Sequence, residues 1–360
     1  MISVLIQQRS HDIIINMPTS TNSVLGHDWA VSLLLHSVEQ MHASHAYLLT
    51  GIDHIGKSTL ARFLAQTLNC VDSPRPCGRC RSCELIVAGK HPDLHLVAPE
   101  GNTLKIDQVR VLQHDLALTP MEGRYRVAIV EGMDRATPEA SNALLKTLEE
   151  PPPHVVMILI APEAESLLPT IVSRCQLIAL RPLSLEAVRA ALIERWQVDS
   201  ERAETLAHLS GGRLGWAVMA IQDESLLARR AQWLDDLIRL TGQGRVERFA
   251  YAEMMAGDPL TARETLRLWQ TWWRDVMLLA TGSDAMLIHS DRRDALREQA
   301  SHFGVDWASA AAARLAQALW QLDRNANTRL ALEVLMLDLP KANTQVGETL
   351  SSKTSSTRQD

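Results

Sequence analysis

Aromatic residues are scarce in this 360-residue chain, at 4%, so its core must be built from leucine, isoleucine, valine and alanine. Positive charge is not in excess. Lysine and arginine number 36 against 42 acidic residues, a net of −6, which argues against coating nucleic acid by bulk charge and leaves room only for a local basic patch. No apolar run reaches the length needed to span a bilayer, so neither a transmembrane segment nor a membrane partner is expected. The opening MISVLIQQRSHDIIINMPTSTNS lacks the basic and clean apolar regions of a signal peptide. A cytoplasmic location is therefore expected. In that reducing compartment the five cysteines point to metal or free thiols rather than disulfides. Residues 1–23 read as a disordered extension, with Met17 as sensible a start as Met1, and 343–360 as a polar disordered tail.

What remains is an ordinary globular composition, 46% hydrophobic and 22% charged, long enough for two or three domains. Residues 24–182 alternate short apolar runs with helical stretches. AYLLT, DLHLVAP (93–99), RVAIV (126–130) and HVVMILIA (154–161) read as strands. STLARFLAQTL (58–68), IDQVRVLQHDLAL (106–118) and the segment after Thr137-Pro138 read as helices, the last stopped by three prolines. Such alternation implies a mostly parallel sheet covered on both faces. From 183 the pattern is helical: a small helical domain to 225, then longer helices over 226–342. Trp269, Trp272 and Trp273 could stack on bases. Their stripe continues with Val276 and Leu279, which favours packing.

Three groups of residues can do chemistry. GIDHIGKST (51–59) completes the phosphate-loop pattern through Gly51, Gly56, Lys57 and Ser58, with Thr59 following. Backbone N–H groups there would cradle phosphates of ATP or ADP, Lys57 would neutralise them, and Ser58 would bind Mg²⁺. Cys70, Cys77, Cys80 and Cys83 lie within fourteen residues and can close a tetrahedral Zn²⁺ site with no open position, hence structural. An iron–sulfur cluster needs a similar set, but the fourth cysteine lies upstream and no Cys-Pro follows. Finally, an ATPase needs a strand ending in one carboxylate for Mg²⁺ and another that polarises water. In VAIVEGMD, Glu131 stands at the first position, glycine at the second, and Asp134 past the strand end. The hydrolytic half is therefore expected to be disabled.

HAYLLTG, GKSTLA, CGRCRSC, HPDLHLV, SNALLKTLEEPP and LLPTIVSRCQ, in that order, resemble the bacterial replicative clamp loaders of DNA polymerase III, a clade of the AAA+ superfamily. The likeness is dense over 24–182 and thin beyond. It implies an α/β P-loop AAA+ domain (24–182) with an inserted zinc module (70–83), a helical lid (183–225) and an all-α collar (226–342) that joins subunits into a heteropentamer. Implied partners are the gamma/tau and delta subunits and, through the complex, the sliding clamp and primed DNA.

Two subunit types share these motifs, the ATP-hydrolysing gamma/tau motor and delta-prime. Gly132, Ala161 at the sensor-one position and Gly215 at the sensor-two position favour the delta-prime type, with Arg213 two residues from where that last arginine belongs. The resemblance makes Arg174 of Ser173-Arg174-Cys175 an arginine finger for a neighbour's ATP. Residue type alone would make it a surface ion pair. Two rival functions are a motor subunit and a zinc-dependent nucleic-acid-binding P-loop protein, the latter supported only by Arg75, Arg79 and Arg81.

Overall fold

A computed structural model describes residues 24–283, 287–324 and 326–341. The extension and tail expected above lie outside the described residues. The chain divides into two compact units between Glu224 and Ser225.

The first unit is built on five parallel strands: β1 Ala46–Thr50, β2 Leu94–Val97, β3 Arg126–Val130, β4 Val155–Ala161 and β5 Gln176–Ala179. Their order is β2-β3-β4-β1-β5, so one strand, β4, separates the strand that leads into the glycine loop from the strand that leads to Glu131. Parallel neighbours need crossovers, and these supply helices to both faces. On one face, Tyr47 and Leu49 pack with Ala30 and Leu34 of α1 (Asp28–Glu39) and Leu60 and Leu64 of α2 (Lys57–Asn69). On the other, Ala46 and Leu48 pack with Val109, Leu112 and Leu116 of α4 (Ile106–Leu116) and Leu144 and Leu148 of α5 (Pro138–Glu149). Between α2 and β2 in the chain lies the short α3, Arg81–Val87. With β1, β3 and β4 buried at every position, each large aliphatic contributes about 1.5–3 kcal/mol of burial.

α5 starts as its sequence dictates. The Thr137 hydroxyl accepts from the Ala140 N–H at 3.2 Å, Pro138 fills the first turn, and the helix stops just ahead of the Pro151 run. After α6 (Pro169–Val172) and β5, three helices complete the unit: α7 Leu185–Trp196, α8 Ser200–Ser210 and α9 Leu214–Gln222. Ser184 and Asp199 cap the first two.

The second unit is all-helical: α10 Glu224–Gly242, α11 Arg245–Ala256, α12 Pro259–Ala280, α13 Arg293–Asp323 and α14 Thr328–Asp338. α13 is broken at Gly304, whose φ is +68°. Trp269, Trp272 and Trp273 are fully buried. Trp269 donates to the Trp233 carbonyl and Trp272 to Gln299, both at 2.8 Å, while Trp273 meets Phe303 edge-on at 5.3 Å. Rings so enclosed serve as core.

Candidate functional site

The glycine loop joins the carboxyl end of β1 to α2, with Gly51 at φ +139° and Gly56 at φ +110° on either side of it. Lys57 is buried and curls over the loop. Its ammonium donates to the carbonyls of Gly51 and of Ile52 (2.9 Å) and lies 3.8 Å from Asp53. Ser58 donates to Glu131 Oε1 at 2.8 Å, so the hydroxyl and carboxylate expected to share Mg²⁺ already meet. Thr59, next on the helix, is half-buried. His27, from the segment before α1, holds the loop through a 3.1 Å hydrogen bond between Nε2 and the Ile55 carbonyl.

Three positions at this end of the sheet lack functional side chains. Gly132 adopts φ +61° and opens a 3-10 turn, Met133–Arg135, so Asp134 lies beyond the strand as expected. A Cβ on Gly132 would stand 2.6 Å from Arg135 and 2.8 Å from the Pro99 ring. Ala161 ends β4 opposite Thr50 of β1 and is buried. Gly215, in the first turn of α9, donates its N–H to the His54 carbonyl of the loop at 2.9 Å. A Cβ there would come within 2.7 Å of that oxygen. The helix therefore touches the loop through a backbone hydrogen bond. Arg213 Nε donates to the Ser210 carbonyl at 2.7 Å, and its guanidinium lies 5.6 Å from the Trp216 ring centre.

Arg174 is at the other end of the sheet. β5 pairs with β1 in parallel, Tyr47 opposite Gln176 and Thr50 opposite Ala179. Arg174 precedes this ladder and Gly51 follows it. The paired stretch alone separates them by roughly 13 Å at about 3.3 Å per residue. Arg174 is half-buried; Nη1 donates to Thr170 O (2.9 Å) and Ser173 Oγ (3.3 Å), and Nη2 lies 2.8 Å from Glu149 of α5. Cys175 is partly buried beside it, its thiol pushed up to about 11 by burial.

The four clustered cysteines also sit at this end, following α2. Their sulfur atoms all lie within 4.8 Å of one another, and Cys70 and Cys80 are 4.0 Å apart. Four thiolates about 2.3 Å from a tetrahedral ion stand about 3.8 Å apart, so the set fits a metal ion. The Cys77 and Cys80 N–H groups donate to Cys70 and Cys77 sulfurs, each at 3.3 Å, which favours the thiolate form. Although burial opposes it, hydrogen bonds from backbone and neighbouring thiols lower Cys80 to about 7. The cluster is tied to the sheet. Arg124 donates to the carbonyls of Leu68 (2.6 Å) and Cys70 (3.2 Å), and Asn69 exchanges two 2.9 Å hydrogen bonds with the Tyr125 backbone.

A family profile described as DNA polymerase III, delta subunit, matches residues 26–184. The Bacillus subtilis DNA polymerase III subunit delta-prime is 31% identical over 314 residues, 86% of this chain and 94% of that protein. The chain belongs to the delta-prime family. A second delta-prime subunit, from Haemophilus influenzae, is 36% identical over 53% of this chain and 58% of its own length. The likeness extends to DNA polymerase III subunit tau of Escherichia coli, 29% identical over 89% of this chain and 46% of that longer protein. A solved gamma subunit-related protein from Thermotoga maritima aligns with 84% of this chain and 97% of its own at 19% identity, with a TM-score of 0.39, too low to carry an argument. No described helix is long and apolar enough to cross a membrane.

Sequence reasoning missed two residues of this delta-prime chain. Glu149 was one letter in a helical run until β5 and α5 brought it to Arg174. Asp93, part of the HPD motif, is wholly buried and accepts from the N–H groups of Met121, Glu122 and Gly123 at 2.7–2.9 Å. Burial would raise its pKa; the three N–H donors outweigh this and hold the carboxyl below its ordinary value. The turn at 121–123 lies almost thirty residues downstream, so no local signal could have paired them.

Proposed function

We propose that this delta-prime subunit is a non-hydrolysing member of the replicative clamp loader. It binds ATP or ADP with Mg²⁺, keeps it, and supplies Arg174 to the nucleotide of a neighbouring gamma/tau subunit. Assembled with gamma/tau and delta in a heteropentamer, it acts in the cytoplasm to help place the sliding clamp on primed DNA. The cysteine cluster holds a structural Zn²⁺, its donor set being all sulfur with no open position. The domain roles follow: residues 24–182 as AAA+ domain with the zinc module 70–83, 183–225 as lid, 226–342 as collar.

One observation carries this reading. The β1–β5 register sets Arg174 at the opposite end of the sheet from its own phosphate loop, which supports a role outside that pocket. Its charge can serve phosphoryl transfer only in another subunit's site. Lys57, Ser58 and Glu131 remain in place to hold phosphate and Mg²⁺, the Lys57 ammonium exchanging loop carbonyls for phosphate oxygens. Turnover needs a group that orients the attacking water, and the backbone at Gly132 leaves no room for one.

The motor reading is favoured by the complete phosphate loop and by the tau relative. The two separate cleanly in the reconstituted complex. Arg174→Ala should lower ATP hydrolysis without disturbing assembly, whereas Lys57→Ala should leave it nearly unchanged. Abolition of turnover by Lys57→Ala with a silent Arg174→Ala would establish a motor instead.

A further inference from the structure

The Arg174 guanidinium is held from two sides. Nη1 is tied to α6 and its C-cap through Thr170 O and Ser173 Oγ, and Nη2 to Glu149 at 2.8 Å. Without the carboxylate only Nη1 is fixed, and the plane of the group can turn. Glu149 is an odd choice for its position. It is the last residue of α5, where the helix dipole disfavours an anion. It cannot move away by further winding, since Pro151 follows two residues later. Both side chains keep solvent contact, 34% exposed for Arg174 and 49% for Glu149, so the pair contributes little to folding stability.

We propose that Glu149 is a positioning residue for the finger. Its carboxylate fixes the orientation of the Arg174 guanidinium before a partner arrives. None of the described contacts uses Nε, so donors remain for an incoming phosphate oxygen. The inference rests on Arg174 acting in trans. It adds that the finger is pre-set by a second element rather than ordered by the neighbour's nucleotide. Preorganised charge costs no reorganisation at the moment of transfer, whereas a misplacement of about 1 Å costs up to about 100-fold in rate.

The test uses the full complex reconstituted with this chain as wild type, Glu149→Gln, Glu149→Asp, Arg174→Ala and Glu149→Gln/Arg174→Ala. The quantity read is the Arg174-dependent part of DNA-stimulated ATP hydrolysis, the wild-type rate minus the Arg174→Ala rate. Glu149→Gln should lower the kcat of that part about 3- to 10-fold, with KM for ATP and the thermal midpoint of the free chain unchanged. Glu149→Asp, one methylene shorter, should fall between. In the Arg174→Ala background Glu149→Gln should add nothing. An unchanged or raised rate overturns the proposal, as does a loss that persists without Arg174. A silent Arg174→Ala overturns instead the reading beneath it, and the proposal with it.

Discussion

The two ends of the parallel sheet have opposite characters. At the carboxyl end stand the phosphate loop, Ser58 and Glu131, but the neighbouring positions carry Gly132, Ala161 and Gly215. None of those three positions supplies a carboxylate, a hydroxyl or a guanidinium. At the amino end stand Arg174 with Glu149, Asp93 in its ring of N–H donors, and the four cysteines. The same strands support both ends, so one end can lose its chemistry without loosening the other.

The largest expected effect tests the amino end. Cys80→Ser should take bound zinc from one atom per chain to none by elemental analysis and loosen residues 70–90 toward proteolysis. Structural zinc is worth about 10–16 kcal/mol of apparent binding free energy, far more than a single hydroxyl recovers. Full metal content in the variant would break the assignment.

Arg174→Ala comes next. An arginine finger contributes about 10³- to 10⁵-fold, roughly 4–7 kcal/mol, at the site it enters. The summed rate of several sites will fall by less. Single-turnover measurement of the adjoining site reads the full effect. An adjoining site that keeps its rate would mean that the amino end carries no catalytic charge.

Asp93→Asn should destabilise the first unit by about 1–3 kcal/mol, because one amide oxygen replaces two anionic acceptors for three N–H groups. The sign with pH follows from the lowered carboxyl. Its contribution is complete above the ordinary aspartate range and is lost as pH falls through the lower folded value. Urea melts between pH 3 and 7 should therefore slope less for the variant on the acid side. Parallel curves would remove Asp93 from the account.

The smallest effect is at the carboxyl end. Gly215→Arg should restore no hydrolysis and should cost about 1–3 kcal/mol, since any Cβ collides with the His54 carbonyl and pushes α9 off the loop. Turnover gained by that single change would show that the two ends differ less than described.

Much of this was legible in the chain. RVAIV became β3 residue for residue, and Thr137-Pro138 opened α5, because caps, prolines and apolar runs act locally. The strand QLIA was not foreseen. It is an edge strand of four residues with only Ile178 fully buried, and its apolar run Leu177–Leu180 is too short to tell strand from helix by pattern alone. Its place beside β1 is a tertiary fact, and with it the separation of Arg174 from the loop. α8 begins at Ser200, earlier than its apolar spacing suggests, because Asp199 caps it. Individual site residues stood in the sequence through motif spacing. Their neighbours did not: Glu149 for Arg174, and His54 for Gly215, meet only after strands and helices have packed.

The left-handed turn at Gly132 has a consequence for descent. A non-glycine residue there must tolerate φ +61°, at about 1–2 kcal/mol, and must also displace the Pro99 ring and the Arg135 guanidinium. The arginine can swing aside, but the proline ring cannot. A point mutation that writes a carboxylate at 132 therefore yields a strained turn. Seating that group without strain takes a change of backbone, of residue 99 and of residue 132 together. Substitutions that arrive one at a time meet that cost at the first step.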